Sequence, residues 1–198
     1  MKRIQGAFTI LALALGLTAL APAVFAQEEH GEFGVYADMT RLRHLQGTNF
    51  WGVGGRLGFN LSRFAQLEGD IAWDFEQQFR CSDCTVGVNV GTNTFGNLRL
   101  LHGLFGPKFQ TGIGPVKGFL VLKGGFLNFG VSGVSTLGAV SSQFGNILNG
   151  DTNGVFYPGV GLEFGGKIGL RAEVGDEMYF DRGANHNLKL NFGPQIRF

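Results

Sequence analysis

The segment 185–198, which ends the chain, alternates apolar and polar side chains without a break. One parity carries Leu188, Leu190, Phe192, Ile196 and Phe198, and the other carries asparagine, lysine, glutamine and arginine. A period of two residues is typical of a β-strand with one apolar face. A last strand that keeps this pattern to its final residue favours a closed sheet, in which the last strand pairs with the first and no backbone group is left unpaired.

The same alternation recurs along the rest of the chain. The connections after the second, fourth and sixth segments are short, whereas longer polar or Gly-rich stretches cover 78–93, 130–153 and 178–186. Short turns at one rim and long loops at the other are typical of outer-membrane barrels. The sequence therefore predicts an all-β fold, an eight-stranded antiparallel up-and-down transmembrane β-barrel. Its strands are expected at 31–42, 50–61, 66–77, 94–108, 117–129, 154–164, 167–177 and 187–198.

The N-terminal segment has the features of a secretory signal peptide. Lys2 and Arg3 precede the apolar run "FTILALALGLTAL", and Val24 and Ala26 stand where a signal peptidase reads small residues. We expect a signal peptide over 1–26 and a barrel domain over 27–198; an uncleaved N-terminal anchor is the alternative. The expected location is the bacterial outer membrane. With 16 basic and 15 acidic residues, the chain lacks the excess of positive charge that is typical of nucleic-acid-binding proteins.

Alternation alone does not say which face lies inside, because a soluble barrel would place the bulky set inside and the polar set in water. The polar parity is rich in glycine, which suits a cramped interior, and its charges have both signs, so that they could pair across strands when buried. We therefore expect the bulky parity to face lipid. The predicted lumen charge network comprises Arg56, Glu68, Asp70, Asp74, Arg99, Lys123, Glu163, Arg171, Glu173 and Lys189.

Large aromatic residues lie near the strand ends on the bulky parity, which predicts two aromatic belts around an apolar band. The outer belt is expected to contain Trp51, Trp73, Phe75, Phe129 and Phe156, and the inner belt Phe59, Phe164, Phe192 and Phe198.

The ending "LNFGPQIRF" resembles the C-terminal signal of bacterial outer-membrane proteins, with Phe192, Ile196 and Phe198 on one parity. The chain from 28 to 198 is similar to the small OmpA/OmpX-type barrels, within the family of outer-membrane beta-barrel domain proteins. The resemblance implies that the barrel-assembly machinery recognises the terminal strand. Pro158 and Pro194 depart from the pattern, since proline weakens a strand ladder, and each predicts a bulge or a strand end.

Cys81 and Cys84 lie in the second long loop, in the run "RCSDC". In an exported protein they are expected to form a disulfide that shapes a loop tip. A redox-active site would need a thioredoxin-like context. A metal site there would need two further ligands, and His44 or His186 could reach it only if the loops converge.

Three functions remain open on the sequence. The first is a structural or interaction role, in which a monomeric barrel with a packed polar lumen presents its loops. The second is a narrow porin-like channel for ions or small solutes, although eight strands leave an interior only just wide enough for side chains. The third is a lipid A-modifying enzyme, for which His102 is the candidate histidine and Ser132, Ser135, Ser141 and Ser142 the candidate nucleophiles.

The expected partners are outer-membrane lipid, lipopolysaccharide and the assembly machinery, with no catalytic residue, cofactor or metal. The loop 130–153 has Asp151 as its one charged residue, which favours an exposed loop, an extension of two strands or an adhesive surface.

Overall fold

The computed structural model describes residues 30–43, 48–81, 94–111, 114–135, 152–181 and 183–198. The strands form a closed antiparallel barrel in chain order, so that each strand pairs with its sequence neighbours. No helix in these described ranges is long and apolar enough to cross a membrane. The strands are β1 Gly31–Leu42, β2 Thr48–Asn60, β3 Ala65–Cys81, β4 Thr94–Gln110, β5 Val116–Ser135, β6 Thr152–Gly165, β7 Ile168–Phe180 and β8 Ala184–Arg197.

The barrel closes where β8 meets β1. The carbonyl oxygen of Phe198 accepts hydrogen bonds from the backbone N–H of His30 at 2.6 Å and of Gly31 at 2.8 Å. The N–H of Phe198 donates to the oxygen of Gly31 at 2.9 Å. The predicted eight-stranded closed barrel is therefore confirmed, and the alternation runs to the end of the chain because the last residues still belong to the closing seam. We call the end that holds Phe198 the inner end and the opposite end the outer end.

Several strands extend further towards the outer end than the alternation predicted. β3 reaches Cys81, β5 reaches Ser135 and β7 reaches Phe180. The expected long connection over 178–186 is wrong, because only residues 181–183 separate β7 from β8. The side-chain pattern stops where a strand leaves the apolar band, whereas the backbone pairing continues above it.

The two prolines lie within strands and do not shift them. Pro158 pairs with Leu122 of β5, and Pro194 pairs with Leu170 of β7. The register is the same on both sides of each proline, so the predicted bulge or strand end at these positions is wrong. Register shifts occur instead where β3 pairs with β4, between Asp74 and Gln77, and where β4 pairs with β5, between Phe95 and Asn97.

Glycines on the inward parity make room for the large side chains of the lumen. A Cβ on Gly54 would lie 2.3 Å from the ring of Tyr36, and one on Gly175 would lie 2.5 Å from the ring of Tyr157. Contacts this short cannot form, so each ring lies over a position that only glycine can occupy. The glycine content of the polar parity is thus the counterpart of a filled interior.

Candidate functional site

The lumen nearest the inner end holds a network of ion pairs, which we call the inner charge cluster. Each member comes from the inward parity of its strand, and each is at least nine-tenths buried. Every cation in it lies within 4.0 Å of at least one carboxylate. The cluster consists of the cations Arg56, Lys108, Lys123, Arg171 and Arg197 and the anions Glu32, Glu68, Asp70, Glu163 and Glu173.

Arg171 lies at the centre of this cluster. Its Nη1 is 2.5 Å from Oε1 of Glu68, and its Nη2 is 2.5 Å from Oε2 of Glu173. Its guanidinium also lies 4.0 Å from the centre of the Phe119 ring. One side chain from β7 therefore connects β3 with its own strand across the barrel, in an environment where each charge is stable only because it is paired.

Two further cations, Arg56 and Lys123, connect β2 and β5 to β3. Arg56 Nε donates to Asp70 Oδ1 at 2.8 Å, and Lys123 Nζ lies 2.8 Å from Glu68 Oε2 and also donates to Asp70. With as many cations as carboxylates, the inner charge cluster is balanced.

Further towards the outer end lies a second group, the middle polar cluster, formed by Asp38, Asp74, His102, Glu177 and Lys189. His102 Nδ1 is 2.9 Å from Glu177 Oε1, and its Nε2 is 3.1 Å from Asp74 Oδ2. Carboxylate oxygens only accept, so two hydrogen bonds here require a proton on both ring nitrogens. Lys189 Nζ lies 2.6 Å from Asp38 Oδ2 and 3.3 Å from Glu177 Oε2.

Above the middle polar cluster the inward side chains of β4 and β5 are apolar. On β4, Leu98 and Leu100 lie beyond His102, and on β5, Leu127 and Phe129 lie beyond Lys123, all with exposures of 0–1%. Phe129 and Tyr179 meet edge to face with ring centres 5.4 Å apart. We call this group the outer apolar layer, and it consists of Leu42, Phe50, Leu98, Leu100, Leu127, Phe129, Val155 and Tyr179.

The residues of the predicted lumen charge network do not all lie in the lumen. The structure places most of it inside the barrel, but Arg99 is exposed and lies outside, with its guanidinium 5.0 Å from the centre of the Trp73 ring. The inward parity of β4 is the even one, which carries His102. Because that parity is leucine-rich, the sequence suggested the opposite assignment. The residues placed inside are Arg56, Glu68, Asp70, Asp74, Lys123, Glu163, Arg171, Glu173 and Lys189.

Phe129 is a second correction. It was expected in the outer aromatic belt but is fully buried in the lumen. Lys123 and Phe129 are six positions apart on one continuous strand, so the two-residue period puts both on the same face. The expected belt residues that lie outside, each exposed, are Trp51, Trp73, Phe75, Phe156, Phe59, Phe164, Phe192 and Phe198.

Sequence reasoning missed several buried charges, namely Glu32, Asp38, Lys108, Glu177 and Arg197. Glu177 and Arg197 lie on the polar parity of their strands, so alternation could have included both in the predicted network. Asp38 shares its parity on β1 with Glu32, so alternation could have found both. Lys108 stands among small and apolar residues of β4, so the register of the neighbouring strands assigns it to the interior.

Some predicted features lie outside the described residues: the signal peptide 1–26, His44, Cys84, Ser141, Ser142 and most of the loop 130–153. The Cys81–Cys84 disulfide therefore stays a prediction.

No protein-family model and no curated protein matches this sequence. Among solved structures, the chain is similar to Neisserial surface protein A, with 12% identity over 87% of this chain and 98% of that one and a TM-score of 0.52. It is also similar to Ail of Yersinia pestis, with 15% identity, coverage of 86% and 97%, and a TM-score of 0.45. A third is the outer membrane enzyme PagL, with 17% identity, coverage of 83% and 99%, and a TM-score of 0.44. The chain has the fold of the outer-membrane eight-stranded barrels.

Proposed function

We propose that this protein is a monomeric outer-membrane barrel with a sealed lumen, a rigid lipid-embedded scaffold that presents its outer connections at the cell surface. The observation that carries the proposal is the stacking of the outer apolar layer on two buried polar clusters. Such a lumen, filled by buried side chains at each of these levels, supports a structural or interaction role.

The burial of the lumen side chains supports this role over a channel. Lys123, Leu127 and Phe129 are each 0% exposed, although they come from three different levels of one strand. A water-filled passage would expose a lumen side chain to solvent at one or more of these levels. The balanced pairing of the inner charge cluster also leaves no spare charge there to select an ion.

The outer surface supports placement in a membrane. Phe59, Ile71, Trp51 and Phe192 are all more than half exposed, on four levels of the wall. In water such a continuous apolar band would drive aggregation, whereas in lipid it is the expected surface of a barrel. We extend the proposal to the location in the bacterial outer membrane, to lipopolysaccharide as a neighbour, and to assembly through the terminal strand that ends in Phe198.

The position of His102 supports a non-enzymatic role. The residue lies in the lumen beneath the outer apolar layer and is 1% exposed. A histidine that acts on a lipid headgroup would have to face the outer surface or rim, and this one faces Asp74 and Glu177 instead.

Planar-bilayer recording tests the sealed lumen. The purified mature chain should give no stable conductance steps, and neither should the control variant Phe126→Gly, which truncates an outward side chain on β5. Stable steps in the wild-type chain that change with Arg56→Gln or Glu68→Gln would contradict the proposal and favour the channel.

Fractionation tests the location. The mature chain should begin at Gln27, partition with the outer membrane and migrate differently on gels before and after boiling. Recovery in the soluble fraction without detergent would contradict a membrane barrel.

A further inference from the structure

The two polar clusters of the lumen differ in charge. The inner charge cluster matches every carboxylate with a cation, whereas the middle polar cluster sets three carboxylates, Asp38, Asp74 and Glu177, against Lys189 and His102. All five side chains are at most 1% exposed. Even with a charged imidazole the cluster has an excess of negative charge, and with a neutral imidazole the excess is two. Buried negative charge of this kind calls for a bound cation or a proton.

The backbone brings two of these carboxylates together over a glycine. Asp38 pairs with Gly52, and Gly52 pairs with Asp74, so the three positions form one row across β1, β2 and β3. A Cβ on Gly52 would lie 2.3 Å from Asp74 Oδ1. Asp74 therefore reaches into a space that only glycine leaves open, and Asp38 lies on the other side of Gly52 in the same row.

One oxygen in this space lacks a partner. Asp74 Oδ1 is buried and has no hydrogen-bond donor, although Oδ2 of the same carboxylate contacts His102. The Asp38 carboxyl is the neighbouring acidic group, and an oxygen of each carboxyl lies within 4.8 Å of the other. Two carboxylates that only accept cannot satisfy each other, so this arrangement calls for a proton or a cation between them.

His102 presents its other nitrogen to the same place. Glu177 holds Nδ1 through both of its oxygens, at 2.9 and 3.0 Å, which fixes the orientation of the ring and aims Nε2 at Asp74. A carboxylate behind a histidine is the usual support for a metal-binding imidazole. Ligand atoms of Asp38, Asp74 and His102 all lie within 4.8 Å of one another, close enough to share one ion after small side-chain rotations.

We propose that the middle polar cluster binds one divalent first-row transition metal ion, with Zn²⁺ as the probe, through His102 Nε2 and the carboxylates of Asp38 and Asp74. Glu177 is a positioning residue that holds the imidazole, and Lys189 neutralises the remaining carboxylate charge. The imidazole selects a transition metal over Mg²⁺ and Ca²⁺, which take oxygen ligands. With a bound divalent ion and a neutral His102, the net charge of the middle polar cluster is zero, as it is in the inner charge cluster. The sequence predicted no metal, because these ligands lie on three separate strands.

The metal content of refolded protein tests the site. The mature chain, in a Cys81→Ser/Cys84→Ser background that removes thiolate ligands, is refolded into detergent with Zn²⁺, treated briefly with a chelator and desalted. We expect about one zinc per chain to be retained, because the outer apolar layer covers the ion. The variants Asp74→Asn and His102→Gln should lower retention by about tenfold or more, and Glu177→Gln should weaken binding by about 10- to 100-fold.

Two matched variants separate this site from others. Asp70→Asn alters a buried carboxylate of the inner charge cluster, and His186→Gln removes the exposed histidine that lies 2.6 Å from Asp176. Both should retain zinc like the parent chain. Refolding with Co²⁺ should give visible absorption bands of a nitrogen- and oxygen-coordinated ion that are missing in His102→Gln.

The proposal is overturned if the folded parent chain, identified by its shift on an unboiled gel, retains no zinc, since the aspartates then share a proton instead. It is equally overturned if His186→Gln abolishes retention, which would place the ion on the surface, or if His102→Gln retains as much zinc as the parent. Should Asp74→Asn fail to fold, Asp38→Asn and the cobalt spectrum of the parent chain decide.

Discussion

The inner charge cluster and the outer apolar layer fill the same narrow lumen in two different ways. In the first, Arg171 and its carboxylate partners close the cross-section with ion pairs. In the second, Leu127 and Phe129 close it with apolar packing. The contrast between the two levels lies inside the barrel, where both sets of side chains are buried.

The difference decides what each level can tolerate. A charge in the inner cluster is stable only while its partners are present, so removing one side chain affects several others. A side chain in the outer apolar layer contributes through its volume, so truncation leaves a cavity but no stranded charge.

The largest expected effect comes from removing the central cation. Arg171→Met leaves the carboxylates of Glu68 and Glu173 without their closest partner, and it should lower the free energy of unfolding by about 3–5 kcal/mol. Urea titration of the refolded chain, followed by tryptophan fluorescence, measures the change.

The control for this variant is Arg63→Met, which removes an exposed arginine from the turn between β2 and β3. It should change the free energy of unfolding by less than about 0.5 kcal/mol. Equal effects of the two variants would show that the inner charge cluster does not depend on Arg171.

Truncation in the outer apolar layer comes next. Leu127→Ala removes a fully buried side chain and should cost about 3 kcal/mol, because transfer and cavity terms add. The matched variant is Leu120→Ala on the outward face of the same strand, where lipid or detergent fills the vacated space and the cavity term is absent. The same titration compares them, and a larger loss for Leu120→Ala would contradict the inward assignment of Leu127.

This contrast also explains how far the sequence could be read. Alternation predicted the eight strands and their closure, because each strand meets lipid on one side and a different medium on the other. Where the lumen is charged, as at Arg56 and Glu68, parity also identified the inside. At the outer apolar layer the inward faces of β4 and β5 are apolar, whereas Arg99 and Asn128 lie on their outward faces, so polar side chains no longer mark the inside. The errors at Arg99 and Phe129 follow from this reversal. On β5 the two-residue period counted from Lys123 assigns the inward face, and on β4 the strand register does.

A double-mutant cycle on Arg56 and Asp70 sharpens the comparison within the inner cluster. These residues are direct cross-strand partners with Nε and Oδ1 2.8 Å apart. The double variant Arg56→Met/Asp70→Leu should be less destabilised than the sum of the single variants, with a coupling of about 1–3 kcal/mol. Unfolding titrations of all four chains give this coupling. In the pair Arg56→Met and Leu127→Ala, one change lies in each region, and their effects on the free energy of unfolding should add to within about 0.5 kcal/mol. Coupling of similar size in both cycles would show that the two regions are not energetically separate.

The smallest expected effect belongs to Arg99, which the sequence assigned to the lumen and the structure places outside. Its guanidinium stacks on Trp73 at an exposed site, so Arg99→Ala should cost only about 0.5–1 kcal/mol. The chain has two tryptophans, and in a Trp51→Phe background the remaining emission comes from Trp73. Arg99→Ala should shift that emission before any unfolding, whereas Arg171→Met should leave it unchanged in the folded state. If Arg99→Ala destabilised the chain as much as Arg171→Met and left the emission unchanged, Arg99 would lie in the lumen and the assigned inward face of β4 would be wrong.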